Sequence, residues 1–138
     1  RFTETMRDFY ATYHGRRAST LDFQRVIESH TGQPMDWFFA QWVYGTDIAS
    51  YKVAWRSAPG PDGTHLVKLR VEQERGPDSF LAYVPVTVDL GNKQAVRVRI
   101  RITGARTELT LPPMPAKPRE VRFNDFEGVL AEVKSVGW

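Results

Sequence analysis

The chain has no cysteine in its 138 residues. That excludes a disulfide framework, a thiolate metal site and a cysteine nucleophile, and it leaves the compartment open. No apolar run approaches the roughly 20 residues that a membrane-spanning helix needs, and no signal-peptide pattern is present. A zinc peptidase motif is absent as well: nowhere do two histidines stand one helical turn apart around a glutamate. The three histidines, His14, His30 and His65, are far apart. His30 follows Glu28 at a spacing of two, which points the side chains apart on a helix, so it reads as a half-buried structural histidine. No serine sits in a Gly-x-Ser-x-Gly context, no glycine-rich phosphate loop occurs, and the scattered carboxylates offer no pair for glycoside hydrolysis. No catalytic, cofactor-binding or metal-binding residue is therefore assigned.

What is present is an ordinary globular composition, 41% hydrophobic and 25% charged, in a length that suits one domain with an appendage. The net charge of +3 is uneven. Residues 1–50 hold five arginines, no lysine and six acidic residues, whereas residues 51–138 hold fourteen basic and ten acidic ones. The mild basic excess permits an acidic partner without demanding one. The first residue is Arg1, and helical spacing is under way by Phe2, so the chain reads as a fragment or a processed product.

Residues 1–45 carry helical periodicity. Phe2, Met6, Phe9, Tyr10 and Tyr13 form a stripe that predicts a first helix ending at His14-Gly15. Ser19 is an N-cap candidate, and Asp22 three residues on makes a capping box. Leu21, Phe23, Val26, Ile27 and His30 then define one side of a second helix, closed by Thr31-Gly32. Pro34 is expected in the first turn of a third. There Met35, Phe38, Phe39 and Trp42 share a face, with Trp37 and Gln41 to one side. So much aromatic surface on three short helices needs a further surface to cover it; a domain interface is the reading preferred over a ligand pocket.

From Tyr51 the period changes to two. Val67, Leu69 and Val71, then Val84, Val86, Val88 and Leu90, then Val96, Val98, Ile100 and Ile102 alternate with polar residues, as in antiparallel strands with one wet face. Turns are expected at 59–63, 76–78 and 91–92. A strand near 108–111, a proline-rich loop at 112–118, a strand at Glu120–Phe123 and one at 129–134 complete a count of seven, the number of an immunoglobulin-like or fibronectin-like sandwich. Pro85 predicts an edge strand or a bulge. The fold class is thus α+β by content, a helical segment at 1–47 followed by an antiparallel seven-stranded sandwich at 48–138.

Arg97, Arg99 and Arg101 should project from one face of one strand, about 6–7 Å apart. Glu72, Asp89 and Glu108 are the expected cross-sheet partners. With no exposed aromatic interleaved among the arginines, a salt-bridged sheet face is preferred to nucleic-acid binding.

One block resembles a known family. Ser19-Thr20-Leu21-Asp22-Phe23, Gly32, Asp36-Trp37-Phe38-Phe39, Gln41-Trp42-Val43, Gly45 and Tyr51-Lys52-Val53-Ala54-Trp55, with Phe9-Tyr10 before them, are similar to the last helices of the catalytic domain of gluzincin zinc aminopeptidases and the step into their β domain. Ile48-Ala49-Ser50 stands where that family usually carries a proline. Residues 66–134 resemble its sandwich, notably 80–88, Phe123-Asn124 and 128–133. The resemblance implies a bacterial parent whose zinc ligands, catalytic glutamate and tyrosine all lie upstream, so that zinc is expected in the upstream catalytic domain and not in this chain. It implies a non-catalytic C-terminal structural role here: the partner is that catalytic domain of the same polypeptide, with no nucleic acid and no membrane span. The alternative is an independent immunoglobulin-like adhesion or carbohydrate-binding module.

Overall fold

The computed structural model describes residues 1–138. It is α+β, with three helices followed by seven strands in two sheets, and it divides into compact units at Arg1–Thr46 and Asp47–Trp138. No helix is long and apolar enough to cross a membrane.

In the first unit α1 spans Phe2–Tyr13 and α2 spans Thr20–Thr31. The capping box forms as its residues require: the Asp22 N–H donates to Ser19 Oγ at 3.2 Å, and the Ser19 N–H returns to Asp22 Oδ2 at 2.9 Å. The helix closes at Gly32, whose N–H bonds the Glu28 carbonyl. α1 and α2 meet through Phe9 and Phe23, edge to face at 5.0 Å, and through His30 Nε2 and Asp8 Oδ2 at 3.0 Å.

The third helix departs from expectation. α3 is a single α turn, Asp36–Phe39, followed by a π-helical turn, Ala40–Tyr44. Pro34 lies outside it, because the Met35 N–H is already engaged by the Glu28 carboxylate at 2.8 Å and Met35 becomes the N-cap. The wider turn shifts the phase of the side chains. Phe39 is buried, 2% exposed, and Gln41 turns inward, while Trp42 is half-buried and Val43 is exposed. Gly45 ends the turn because a Cβ there would lie 2.7 Å from the Gln41 carbonyl oxygen.

The second unit contains β1 (Ala49–Pro59), β2 (His65–Arg75), β3 (Leu81–Gly91), β4 (Gln94–Thr103), β5 (Arg106–Thr110), β6 (Glu120–Phe123) and β7 (Ala131–Ser135). One sheet runs β5-β2-β1-β7 and the other β4-β3-β6. The alternating apolar residues turn inward: Val67, Leu69, Val71, Val84, Val86 and Val88 are all buried. Tyr51 on β1 and Phe123 on β6 touch across the sheets, with ring centroids 6.1 Å apart.

The expectation of antiparallel pairing throughout fails at one place. β7 pairs with β1 in parallel, Val133 opposite Tyr51, so the first sheet is mixed. The chain leaves β6 through residues 124–130 and joins the other sheet beside β1 instead of returning along β6. Pro85 likewise needs a correction. Its strand, β3, is central in its sheet, but β6 pairs only with Val86–Asp89, so the ladder at Pro85 is one-sided and no N–H is missed there. Gly128 takes the vacated position, where a Cβ would meet the proline ring at 2.8 Å.

Candidate docking surface

The helical unit has little core of its own. Of nineteen fully buried hydrophobic residues in the chain, only Val26 and Phe39 belong to it. The stripe on α1 explains why. Packing uses Thr5, Phe9 and Tyr13, one side of the apolar stripe, where Thr5 Oγ1 satisfies itself on the Arg1 carbonyl at 3.0 Å. Phe2, Met6 and Tyr10, spaced four apart, form a second row that faces water, Phe2 at 76% and Tyr10 at 65% exposure.

Beside that row lies an apolar hollow of about 500 Å³, lined chiefly by Met6, Phe9, Phe23, Phe38, Phe39 and Val43. The rings are fixed: Phe38 and Phe39 meet edge to face at 5.7 Å, and Phe39 faces Phe23 at 6.4 Å. A polar network holds the wall. Gln24, buried in α2, donates to Glu28 Oε1 at 3.0 Å and to Asp36 Oδ1 at 3.1 Å, which ties the start of α3 to α2. Sequence periodicity missed this network, because a glutamine on a helix carries no apolar signal; the pairing of Gln24 with Glu28 at i, i+4 was the one clue.

Ser19, which lines the hollow, has a structural role as the cap of α2. Asp22 accepts the backbone N–H and hydroxyl of Ser19, which hold its carboxyl below the ordinary carboxylate value. Tyr13 is pushed up, first by burial and then by the neighbouring Asp22 carboxylate. His14 stacks on Tyr10 at 4.8 Å, His30 is held by Asp8, and His65 forms a backbone bridge with Met114. No three His, Asp or Glu side chains converge in a way that would hold a metal ion.

The arginine row is also placed differently from the expectation. Arg97, Arg99 and Arg101 are exposed on β4, but their anticipated partners are elsewhere. Glu72 and Glu108 lie on β2 and β5, in the other sheet, where Arg106 engages both. Asp89 is engaged by Arg122 at 4.0 Å. The cause is the turn at Gly104-Ala105, which sends β5 away from β4 to pair with β2. An exposed aromatic does stand on this face, since Tyr83 lies opposite Arg101.

No protein-family model matches this chain, and a search of curated proteins also gives no match.

Proposed function

We propose that this chain is a non-catalytic structural portion of a zinc-dependent aminopeptidase-like protein, in which the helical unit completes a catalytic domain and the β unit braces it. The observation that carries this reading is the uncovered apolar surface of the helical unit. Phe2, Met6 and Tyr10 form an exposed apolar row beside a hollow lined by phenylalanines, and contiguous exposed apolar surface marks interaction sites. The occupant is the upstream catalytic domain implied by the motif resemblance at 19–55. Cofactor and chemistry belong to that domain.

In the same reading the β unit is an immunoglobulin-like or fibronectin-like sandwich. The strand partition supports it: β1, β2 and β5 share one sheet while β3 and β6 share the other, as in the immunoglobulin arrangement, with β4 added beside β3. The last strand is transferred to the edge beside β1. That transfer leaves the sandwich open along Val53, Trp55, Phe123 and Val133, where a cleft of about 290 Å³ lies. The adhesion or carbohydrate-binding alternative gains less support, because Tyr83 is the one exposed aromatic carried within a strand and a sugar platform needs several.

The coding sequence that precedes Arg1 tests the reading. A His-Glu-x-x-His helix there, followed by a second glutamate and a tyrosine, is the expected result. A start codon directly before Arg1 would overturn it. In parallel, zinc titrated into the isolated chain should give neither stoichiometric binding nor aminoacyl-arylamide turnover.

A further inference from the structure

We propose that the exposed edge of β4 is a docking strand for an extended acidic segment of another polypeptide. Three separate observations lead there. The first is charge without partners. Arg70, Arg75, Arg106 and Arg122 of the β unit all sit in ion pairs, whereas Arg97, Arg99 and Arg101 make none and are exposed in succession along one face. Asp89 on β3 and Asp125 after β6 pair with Arg122 instead.

The second is the edge itself. β4 pairs only with β3. Every second residue of such a strand turns its N–H and C=O away from its partner, as a template for one more strand. Arginines on an edge strand repel a second copy of the same edge, which blocks self-pairing. They do the opposite for a strand bearing carboxylates.

The third is the pair of aromatics that bracket the row. Tyr83, 50% exposed, stands opposite Arg101. Phe126, 73% exposed, lies over the Arg97 guanidinium at 5.0 Å. Phe126 is held out by an unusual loop. Asn124, Phe126 and Glu127 all have positive φ (56°, 61° and 51°), and the Asn124 side chain clamps the loop by bonding both the N–H and the C=O of Val129. Backbone strain of this kind persists only where the surroundings enforce it.

The register then defines the ligand. A strand added beside β4 places its same-face side chains about 6–7 Å apart, opposite Arg97, Arg99 and Arg101 as cross-strand pairs. The matching segment has acidic residues at i, i+2 and i+4 with small or β-branched residues between. A nucleic-acid strand could use the arginines but not the main-chain ladder, which is why a polypeptide is favoured.

The test uses the full chain and five probes: a labelled peptide with alternating Glu and Val, a peptide of the same composition with its glutamates in one block, two versions of the alternating peptide N-methylated on every second residue in one phase or the other, and an oligothymidylate. The alternating peptide should bind, and the block peptide should bind about tenfold more weakly, since it cannot pair all three arginines. One N-methylation phase should abolish binding and the other should not, because only one phase removes the N–H groups that face β4. Arg99→Glu should weaken binding roughly tenfold, while Arg16→Glu, the same charge change in the helical unit, should alter it less than about twofold. Equal binding of the alternating and block peptides, indifference to both N-methylation phases, tighter binding of the oligothymidylate, or no peptide binding at low salt would each overturn the proposal.

Discussion

The Glu28 carboxylate accepts the backbone N–H of Met35 at 2.8 Å, so a side chain of the second helix supplies the cap that the third helix lacks in its own sequence. The same Oε1 accepts from Gln24, which also reaches Asp36. Glu28→Ala removes an acceptor from two donors at once, one of them a half-buried main-chain group, and should cost about 1.5–3 kcal/mol, the usual range for a bond to a charged group. Glu28→Gln keeps an acceptor and should cost less. Urea denaturation followed by far-ultraviolet circular dichroism measures both. If Glu28→Ala and Glu28→Gln are equally stable, the carboxylate is not the cap.

The loop after β6 depends on Asn124 in two ways. Its amide bonds Val129 as a strand partner would, at 2.8 and 2.9 Å, and its φ of 56° is a conformation that asparagine tolerates better than most residues. Asn124→Ala forfeits both advantages and should destabilise the β unit by about 2–3 kcal/mol, at about 1 kcal/mol for each bond and the remainder from the backbone. Asn124→Gly keeps the backbone freedom and loses only the bonds, so it should fall between wild type and Asn124→Ala. Thermal unfolding that finds Asn124→Gly as stable as wild type would show that the clamp contributes nothing.

What could be read beforehand divides along physical lines. The two long helices were legible because periodicity, the Ser19–Asp22 box and Gly32 all agree on their limits. The strands were legible because Val67, Leu69, Val71 and the run from Val84 to Leu90 alternate without a break. The π turn at Ala40–Tyr44 was not, since no residue type marks it. Nor was the sheet assignment of β5 and β7. Alternation says that a strand has a wet face and says nothing about which neighbour it joins, so Glu72 and Glu108 were matched to arginines that lie in the other sheet. The uncovered apolar surface was anticipated in kind, from aromatics on short helices, but not in place: of the shared face on the third helix Phe39 is deeply buried and Trp42 half-buried, while Phe2 and Tyr10 of the first helix face water.

The capping box sets a pH dependence with a definite sign. Asp22 is held below the ordinary carboxylate value because its charged form accepts the Ser19 N–H and hydroxyl. A carboxylate lowered in the folded state contributes stability that is complete above its unfolded value and is lost as pH falls through its folded value. The second helix should therefore weaken on the acid side of the ordinary carboxylate range and show no change from this group near neutrality. Ser19→Ala removes the hydroxyl donor, should cost about 1 kcal/mol at neutral pH, and should shift the Asp22 titration toward the ordinary value. Carbon-detected NMR of the Asp22 carboxyl group in both proteins checks this; an unchanged midpoint in Ser19→Ala would refute the assigned cause.

The left-handed backbone of Phe126 gives the sharpest mutational contrast. A residue with a Cβ at φ 61° costs roughly 1–2 kcal/mol relative to its preferred conformation, and an exposed ring recovers only about 0.5–1 kcal/mol through the Arg97 contact. Phe126→Ala keeps the strain and loses the contact, so it should destabilise by about 0.5–1 kcal/mol. Phe126→Gly loses the contact but relieves the strain, offset by roughly 0.5–1 kcal/mol of added chain entropy in the unfolded state. Glycine should consequently be more stable than alanine at this position, an inversion of the usual order, and close to or slightly above wild type. Both variants remove the ring from the end of the arginine row, so both should weaken the alternating acidic peptide although only one of them weakens the fold. A glycine variant less stable than the alanine variant would mean that the loop relaxes out of the left-handed region in solution, and the ring would then not be held over Arg97.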